Sequence, residues 1–217
     1  MRVLVAASGD QSKWGNHLGV PSHLAPVGGR PLLARTVDQV LAHTGDVHVT
    51  VPPGDERYTA AASGAVAHER GPGMASEYAA TRDLWSTEGR TVLLLGDVYF
   101  TDAATTQILT CRRRMFRVFG RRRGSRLTGC GHGEIFAVSW WPAHHAQMDE
   151  HLGLVHSMRA SGAITRPPGW MLLRAWQDTP LEQHRVRAQY FETIDDLTDD
   201  FDYPSDYDRH PAVGRPQ

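Results

Sequence analysis

The sequence predicts an α/β fold in which a mainly parallel, mixed sheet is flanked by helices. Two uninterrupted apolar runs, residues 3–7 and Thr91–Leu95, are typical of strands buried on both faces. Segments with strand and helix periodicity alternate along the chain, as in parallel α/β sheets. The first run ends in the small residues Ala6, Ala7, Ser8 and Gly9, which leave backbone N–H groups accessible to a ligand. We therefore expect a nucleotide site at the carboxyl edge of the sheet.

The other elements follow in chain order. Apolar residues recur at helical spacing after Pro31, a residue suited to the first turn of a helix. The prolines at 52 and 53 end the strand Val47–Val51, and Asp102 can cap a helix. The pattern predicts further strands over 65–68, 116–119, Glu134–Trp140 and 191–194, and helices over 74–85, 102–109, 142–159 and 170–185.

Length and composition limit the classes of protein. A chain of 217 residues with 41% hydrophobic and 22% charged residues suits one domain, expected over 1–207, with a frayed tail over 208–217. The formal net charge of −1 requires neither a nucleic acid nor a membrane as partner. We expect no membrane span and no signal peptide, because no long apolar run is present. The two cysteines, Cys111 and Cys130, lack metal-ligand spacing and predict reduced thiols in a cytoplasmic protein.

Two segments near the start carry a family resemblance. Residues 5–14, Val-Ala-Ala-Ser-Gly-Asp-Gln-Ser-Lys-Trp, resemble the L-A-A-G-x-G-x-R-L signature of nucleotidyltransferase-like proteins. Residues 21–33 resemble the P-K-x-L-x-x-v-x-G-k-P-L-L segment of the same superfamily. That superfamily has the GT-A fold and includes sugar-nucleotide pyrophosphorylases, molybdenum-cofactor guanylyltransferases and many glycosyltransferases. The resemblance therefore implies a GT-A-like, Rossmann-like domain.

The resemblance also implies a set of nucleotide-binding residues, with two departures from the family. Lys13 stands where the family has arginine, and Ser22 stands where it has lysine. In nucleotidyltransferases these two cations hold the triphosphate. In this sequence a lysine replaces the arginine, and the family's lysine is missing. The implied nucleotide site comprises Ala6, Ala7, Ser8, Gly9, Lys13, Gly73 and Ser76.

Carboxylates in two segments match the family's metal positions. Asp97 follows the buried strand Thr91–Leu95 within a Gly-Asp-Val triplet, where the superfamily places a metal-binding aspartate. Residues 202–207, Asp-Tyr-Pro-Ser-Asp-Tyr, resemble the closing D-T-P-E-D-L/Y segment, which makes Asp202 the second ligand and Asp200 an alternative. Hard oxygen ligands suit Mg²⁺ or Mn²⁺ on nucleotide phosphates. The alternatives are a turn or capping role for Asp97 and a solvated acidic segment around Asp202.

A basic segment and a histidine–carboxylate pair suggest the acceptor side. Eight arginines lie between positions 112 and 126, among them Arg117, Arg121, Arg122 and Arg123, and could bind phosphates or a nucleic-acid acceptor. A solvated helix end and strand edge is the alternative. His132 and Glu134 follow in a glycine-containing loop, and either could act as a general base for an acceptor hydroxyl. With Asp97 and Lys13, Glu134 completes the predicted catalytic set.

Three functions fit these observations. The first is a metal-dependent glycosyltransferase that uses a nucleotide-sugar, for which we expect a UDP-sugar, and an anionic acceptor. A hydroxymethylated base in DNA is one such acceptor. The second is a nucleotidyltransferase that joins an NTP and a sugar phosphate with release of pyrophosphate. The third is a nucleotide- or nucleic-acid-binding module without catalysis. The substitution at Ser22 and the arginine segment favour the first.

Overall fold

The computed structural model describes residues 1–74, 76–165, 168–183 and 185–213. The strands are β1 (Arg2–Ala6), β2 (Pro26–Val27), β3 (Arg30–Pro31), β4 (Val47–Val51), β5 (Val66–Glu69), β6 (Thr91–Leu95), β7 (Val98–Tyr99), β8 (Arg117–Arg121), β9 (Glu134–Trp140), β10 (Phe191–Thr193) and β11 (Asp199–Asp200). The α-helices are α1 (Leu32–Leu41), α2 (Glu56–Ala61), α3 (Asp102–Thr110), α4 (His145–Ala160), α5 (Pro168–Trp176) and α6 (Pro204–Arg209).

A seven-stranded mixed sheet forms the centre of the structure, in the order β10-β8-β9-β6-β1-β4-β5. Strand β9 is antiparallel to β6 and β8, whereas the other ladders of this sheet are parallel. The side chains of β1 alternate between two apolar clusters, with Val3 and Val5 on one face and Leu4 and Ala6 on the other. The predicted α/β fold with a mainly parallel, mixed sheet is confirmed.

Topology brings several strand ends to one edge of this sheet. The parallel strands β1, β6 and β8 all end there, and the antiparallel strand β9 begins there with Glu134. The ladders pair Ala6 with Leu95 and Arg121 with Glu134. The residues that follow β1 and β6 and those that begin β9 therefore lie close together.

A second, two-stranded sheet returns the acidic segment to this edge. Strands β7 and β11 pair antiparallel, with Val98 opposite Asp200. The N–H of Phe201 donates to the carbonyl of Asp97 over 2.9 Å and extends the pairing by one step. Segments about a hundred residues apart in sequence thus meet directly beside the carboxyl end of β6.

Three helical predictions differ from the structure. Over 74–85 the described residues hold a 3₁₀-helix, Ala79–Leu84, because Ser76 caps the N–H of Ala79 and the chain enters a tight turn. The prediction over 170–185 extends too far: the α-helix ends at Trp176, Asp178 has a φ of 50° and Pro180 follows. The segment 142–159 is divided between a 3₁₀-turn, Pro142–His144, and α4.

The tail expected to fray from Asp208 onward is described by the structure as far as Val213. Helix α6 continues to Arg209, and the buried His210 ring contacts the carbonyl of Leu197 over 2.8 Å. Residues 214–217, which belong to the same prediction, lie outside the described residues. Across the described part of the chain, no helix has the length and apolar character needed to cross a membrane.

Candidate active site

A polar cleft of about 310 Å³ opens at the edge where β1, β6 and β9 meet. Gly96 allows the chain after β6 to approach the end of β1 at the base of this cleft. A Cβ at this position would lie 2.6 Å from the carbonyl oxygen of Ala6 and 2.9 Å from the Cα of Ala7. Because both contacts are to backbone, no larger residue fits between the strands. The glycine before Asp97 therefore brings that aspartate against the end of β1.

Three aspartates converge on this cleft. Asp97, Asp200 and Asp202 all line it, although the last two come from a segment about a hundred residues later. Burial and the charges of Asp202 and Glu77 raise the pKa of Asp97 to about 7. Burial and the neighbouring charges of Glu134, Asp202 and Asp97 also raise the pKa of Asp200 well above its ordinary value. The cleft thus brings together carboxylates that oppose one another's ionisation.

Lys13 supplies part of the compensating charge. Its Nζ lies 2.5 Å from Oδ2 of Asp202. Burial alone would lower the pKa of Lys13, but the hydrogen bond and charge of Asp202 outweigh it and raise the pKa. Arg159 also lines the cleft and is exposed. One lysine and one arginine thus face Asp10, Glu77, Glu134 and the three aspartates among the described lining residues.

The donor set of the cleft fits a hard divalent cation. Asp97, Asp200 and Asp202 offer carboxylate oxygens from two adjoining segments, and the raised pKa values of Asp97 and Asp200 show that these two carboxylates are charged only at a cost. Mg²⁺ and Mn²⁺ prefer oxygen ligands and are commonly bound through one or two carboxylates plus substrate phosphates. The three residues predicted as metal ligands therefore lie where such an ion could be held.

The predicted nucleotide residues divide into two groups. Ala6, Gly9 and Lys13 line the cleft. Ala7 and Ser8 are buried beneath it, where the Ser8 hydroxyl bonds that of Thr50 over 3.3 Å. Arg70 donates to the carbonyl of Ser8 over 2.6 Å and so fixes the loop from below.

Gly73 and Ser76 differ from the prediction. Gly73 is exposed in a turn with a φ of 73°, which suits glycine. Ser76 is buried, and its hydroxyl contacts Nε2 of His156 over 2.8 Å. The next two residues, Glu77 and Tyr78, line the cleft instead. The predicted segment thus reaches the cleft through Glu77 and Tyr78 rather than through Gly73 and Ser76.

Ser22, which stands where the resembling family has a lysine, is inside the protein. Ser22 is buried, and both its N–H and its hydroxyl donate to Oε1 of Gln11, over 2.7 and 2.9 Å. The adjacent His23 lines the cleft, but its ring is 2% exposed and contacts the hydroxyl of Tyr58 over 2.9 Å. Burial lowers the pKa of His23 to about 4, so the ring is neutral near pH 7. His23 cannot replace a lysine as a cation.

The arginine segment does not form one basic patch. Strand β8 separates residues 112–114 from 121–126, and the first group lies at the edge opposite the cleft because β8 and β6 end together. Arg117 is 5% exposed, donates to the carbonyl of Ala188 over 3.3 Å and pairs with Glu192. Arg121 pairs with the fully buried Asp199 over 2.8 Å. The predicted phosphate contacts of Arg117 and Arg121 are corrected, because carboxylates of the same chain, Glu192 and Asp199, engage the two side chains.

The other predicted arginines remain at the surface. Arg122 and Arg123 are exposed and line a second cavity of about 530 Å³, which shares Lys13, Glu134 and Asp202 with the first cleft. Trp170 and His132 line it too. A polar cleft with an adjoining cavity of mixed character can accommodate two ligands side by side.

The loop between β8 and β9 brings His132 and Glu134 together with Cys130. His132 Nδ1 lies 2.8 Å from Oε1 of Glu134, and the Cys130 thiol donates to the same oxygen over 3.1 Å. Burial raises the pKa of Glu134, with Asp202 adding to the shift and Cys130 and His132 opposing it. Burial and Glu134 also raise the pKa of Cys130, to about 12. Both cysteines of the chain are free thiols.

Sequence reasoning missed several residues that line the cleft. Glu77 and Tyr78 lie in the turn that precedes the 3₁₀-helix Ala79–Leu84, and Asp10 lies in the first loop beside the residues that were chosen. Trp170 reaches both cavities from the start of α5. Only the proximity of Asp10 to the family signature offered a usable signal.

Comparison with known proteins defines the class of fold. No protein-family model and no curated protein sequence matches the chain. Among solved structures, it is similar to a protein described as a putative glucose-1-phosphate thymidylyltransferase from Bacillus anthracis in complex with sucrose. The TM-score is 0.60 at 14% identity, with 99% of this chain and 95% of that one covered.

Two further structures support the same class. The inositol-1-phosphate CTP transferase of T. maritima matches with a TM-score of 0.61 and 12% identity, over 94% of this chain and 90% of that one. CTP:phosphocholine cytidylyltransferase of Streptococcus pneumoniae matches with a TM-score of 0.61 and 12% identity, over 95% and 96%. The chain thus has the GT-A-like fold of nucleotidyltransferases, and the fold implied by the family resemblance is confirmed.

Proposed function

We propose that this protein is a nucleotidyltransferase. It transfers a nucleoside monophosphate from an NTP to the phosphate of a small phosphorylated alcohol, and pyrophosphate leaves. The observation that carries the proposal is the convergence of Lys13, Asp97 and Asp202 on one cleft, at the sheet edge of a nucleotidyltransferase-like fold. The three similar structures are all described as transferases of this kind, and the chain spans at least 90% of each.

The loop after β1 and the aspartates of the cleft bind the triphosphate and its metal ion. Ala6 and Gly9 present little side-chain bulk, so a nucleotide can approach the backbone after β1. Lys13 stabilises the charge that develops on the departing pyrophosphate. Asp97 and Asp202, with Asp200 beside them, would hold Mg²⁺ or Mn²⁺. When bound, such an ion neutralises phosphate charge in the cleft and orients the reacting phosphates.

The second cavity suits a phosphorylated acceptor. Arg122 and Arg123 are exposed at its rim, and guanidinium groups bind phosphate oxygens through two parallel hydrogen bonds. The indole of Trp170 provides an apolar wall for the rest of a small molecule. Because Lys13 lines both cavities, the acceptor phosphate and the α-phosphate of the NTP can approach each other there.

This reaction removes the need for a general base. A phosphate monoester, with a second pKa of about 6, already carries a nucleophilic anionic oxygen near pH 7. Glu134, predicted as the base for a sugar acceptor, has no proton to remove from such an acceptor. The nucleotidyltransferase hypothesis therefore leaves Glu134 without a catalytic task.

The glycosyltransferase hypothesis, which the sequence favoured, receives less support. All three similar structures are described as nucleotidyl- or CTP-dependent transferases rather than sugar transferases. The glycosyltransferase hypothesis proposed a polyanionic acceptor because the arginines were expected to form one continuous patch. Arg117 and Arg121 are not part of such a patch, since they pair with Glu192 and Asp199. The loss of the lysine at Ser22, its other motivation, is compatible with a nucleotidyltransferase whose metal site and Lys13 bind the triphosphate.

Pyrophosphate release tests the proposal. Each NTP is incubated with Mg²⁺ and glucose 1-phosphate, inositol 1-phosphate or phosphocholine, the phosphates that the three similar enzymes' descriptions contain. We expect pyrophosphate only when an NTP, one acceptor and the metal are all present. Asp97→Asn should lower the rate by at least about 100-fold, whereas the exposed control Asp83→Asn should leave it unchanged. Release of a nucleoside diphosphate from a nucleotide-sugar, without pyrophosphate formation from any NTP, would contradict the proposal.

A further inference from the structure

Three potential metal ligands lie together in the β8–β9 loop, beside the aspartate cleft. Cys130 Sγ is 3.4 Å from His132 Nδ1 and 3.1 Å from Glu134 Oε1, and the last two atoms are 2.8 Å apart. All three ligand atoms lie within 4.8 Å of one another. The three residues follow a Cys-x-His-x-Glu spacing in the bend before β9 and at its first residue, although the spacing between the two cysteines gave no such indication.

Internal contacts fix the backbone that carries this group. The N–H of Ser125 donates to the carbonyl of Cys130 over 2.7 Å. The buried Asp199 accepts hydrogen bonds from the side chains of Arg121, Ser125 and Thr128. The loop is thus attached at its start to β11, while Glu134 is held in β9. A loop fixed at both ends can present ligands without a large ordering cost on binding.

We propose that Cys130, His132 and Glu134 form a binding site for Zn²⁺, separate from the aspartate site for Mg²⁺ or Mn²⁺. A thiolate, an imidazole and a carboxylate form a typical zinc donor set, whereas Mg²⁺ prefers oxygen ligands alone. On binding, the thiol proton that Cys130 donates to Glu134 leaves to solvent, and Sγ and Oε1 both turn to the ion.

The geometry requires little adjustment. With Zn–S near 2.3 Å and Zn–N and Zn–O near 2.0–2.2 Å, tetrahedral ligand atoms lie about 3.4–3.6 Å apart. The sulfur–nitrogen separation of 3.4 Å already matches. The two contacts to Oε1 must lengthen by roughly half an ångström once the ion replaces the hydrogen bonds. His132 is 75% exposed and Glu134 14%, so the histidine can move while the carboxylate stays in place.

The site leaves a fourth position open toward substrate. A cavity of about 250 Å³ is lined by Cys130, His132, Glu134 and Asp202. His132 and Glu134 also line the cavity assigned to the acceptor. Three protein ligands with an open position are typical of zinc that binds water or substrate, in contrast to closed structural sites. Nucleotidyl transfer needs no general base, so Glu134 is free to serve as a metal ligand.

Cobalt substitution tests this assignment without requiring any enzymatic activity. Full-length protein is treated with chelator, then titrated with Co²⁺, whose thiolate complexes show a near-ultraviolet charge-transfer band. We expect the band to saturate at one equivalent, to be lost in Cys130→Ser and to persist in Cys111→Ser, the matched control at the end of α3. Persistence in Asp97→Asn would separate this site from the aspartate cleft.

Zinc affinity, measured by competition with a chromophoric chelator, gives an independent readout. His132→Ala and Glu134→Gln should weaken binding by at least about tenfold, while the exposed control His43→Ala should change it less than about twofold. His132 is exposed, so its variant should fold even if Cys130→Ser does not. Absence of the band, an equal loss in Cys111→Ser, or equal weakening by Asp97→Asn would overturn the assignment.

Discussion

Lys13 and Asp202 form an ion pair with a Nζ–Oδ2 distance of 2.5 Å, although 189 residues separate them in the chain. The pair joins the loop after β1 to the segment after β11, and both regions belong to segments that carry the family resemblance. Both side chains remain partly accessible, at 51% and 33%. An exposed pair of this kind contributes little to stability, which points to a role in the cleft.

Replacing Lys13 with alanine should impair catalysis and leave the fold intact. We expect kcat/KM for pyrophosphate formation to fall by about 100-fold or more, because the departing pyrophosphate loses its cation. The melting temperature should stay within about 2 °C of the wild type. The comparably exposed Arg82 of the Arg82–Asp149 pair provides the control, since Arg82→Ala should affect neither quantity. An unchanged kcat/KM in Lys13→Ala would exclude the assigned role.

Asp97→Asn should stabilise the metal-free protein at alkaline pH. The pKa of Asp97 is about 7 in the fold against an ordinary 3.8, so the folded state binds this proton more tightly. Stability from this group is therefore lost as pH rises from about 4 to 7. In the presence of chelator, the variant should melt a few degrees above the wild type at pH 8 and equally at pH 4. A variant that is less stable at pH 8 would contradict the cost of keeping a charged Asp97 carboxylate buried beside Asp202 and Glu77.

Gly96→Ala should damage both stability and activity. The added Cβ would lie 2.6 Å from the carbonyl oxygen of Ala6, a backbone atom that cannot move without shifting β1. We expect a loss of about 1–3 kcal/mol in the free energy of unfolding, measured in urea. Gly45, with no atom within 4 Å of a built Cβ, is the matched control, and Gly45→Ala should change stability by less than about 0.5 kcal/mol. Equal effects of the two substitutions would mean that Gly96 is not required for strand approach.

His23 should make the protein sensitive to acid. Its pKa is about 4 in the fold against an ordinary 6.5, so the unfolded chain binds more protons between these values. Stability therefore falls as pH decreases from about 6.5 to 4, and this group accounts for about 2 kcal/mol between pH 7.5 and pH 5. His23→Gln should lose that share of the pH dependence in urea unfolding, whereas His43→Gln, at an exposed site, should retain it. An identical pH dependence in His23→Gln and wild type would contradict the effect assigned to burial of the ring.

The sequence predicted the elements that follow from local pattern. Uninterrupted apolar runs identified β1 and β6, and Gly96-Asp97 marked the point where the second run reaches the site. The antiparallel direction of β9 could not be predicted, because the connection from Arg121 to Glu134 has no local signal of direction. Likewise, apolar periodicity does not distinguish an α-helix over 74–85 from the 3₁₀ turns that occur there.

Side-chain partners were the least predictable part of the site. The sequence does not distinguish arginines that face solvent from arginines that pair with internal carboxylates. Only the folded chain shows that Arg121 forms an ion pair with the buried Asp199. The acidic segment was found through its family resemblance, since nothing in its composition separates Asp200 and Asp202 from the structural Asp199. The contact of Cys130 with Glu134 depends on the conformation of the β8–β9 loop. Asp199, which lies outside this loop, stabilises that conformation by accepting a hydrogen bond from Ser125.

The central claim, nucleotidyl transfer, is tested most directly by following the phosphorus atoms of the NTP. Protein, Mg²⁺ and an acceptor phosphate are incubated in parallel with NTP labelled at the α- or the γ-position. We expect the α-label to enter a product containing the acceptor and the γ-label to appear in pyrophosphate, and both transfers to be lost in Asp97→Asn. Retention of the α-label in free nucleotide with every acceptor, together with sugar transfer from a nucleotide-sugar, would contradict nucleotidyl transfer.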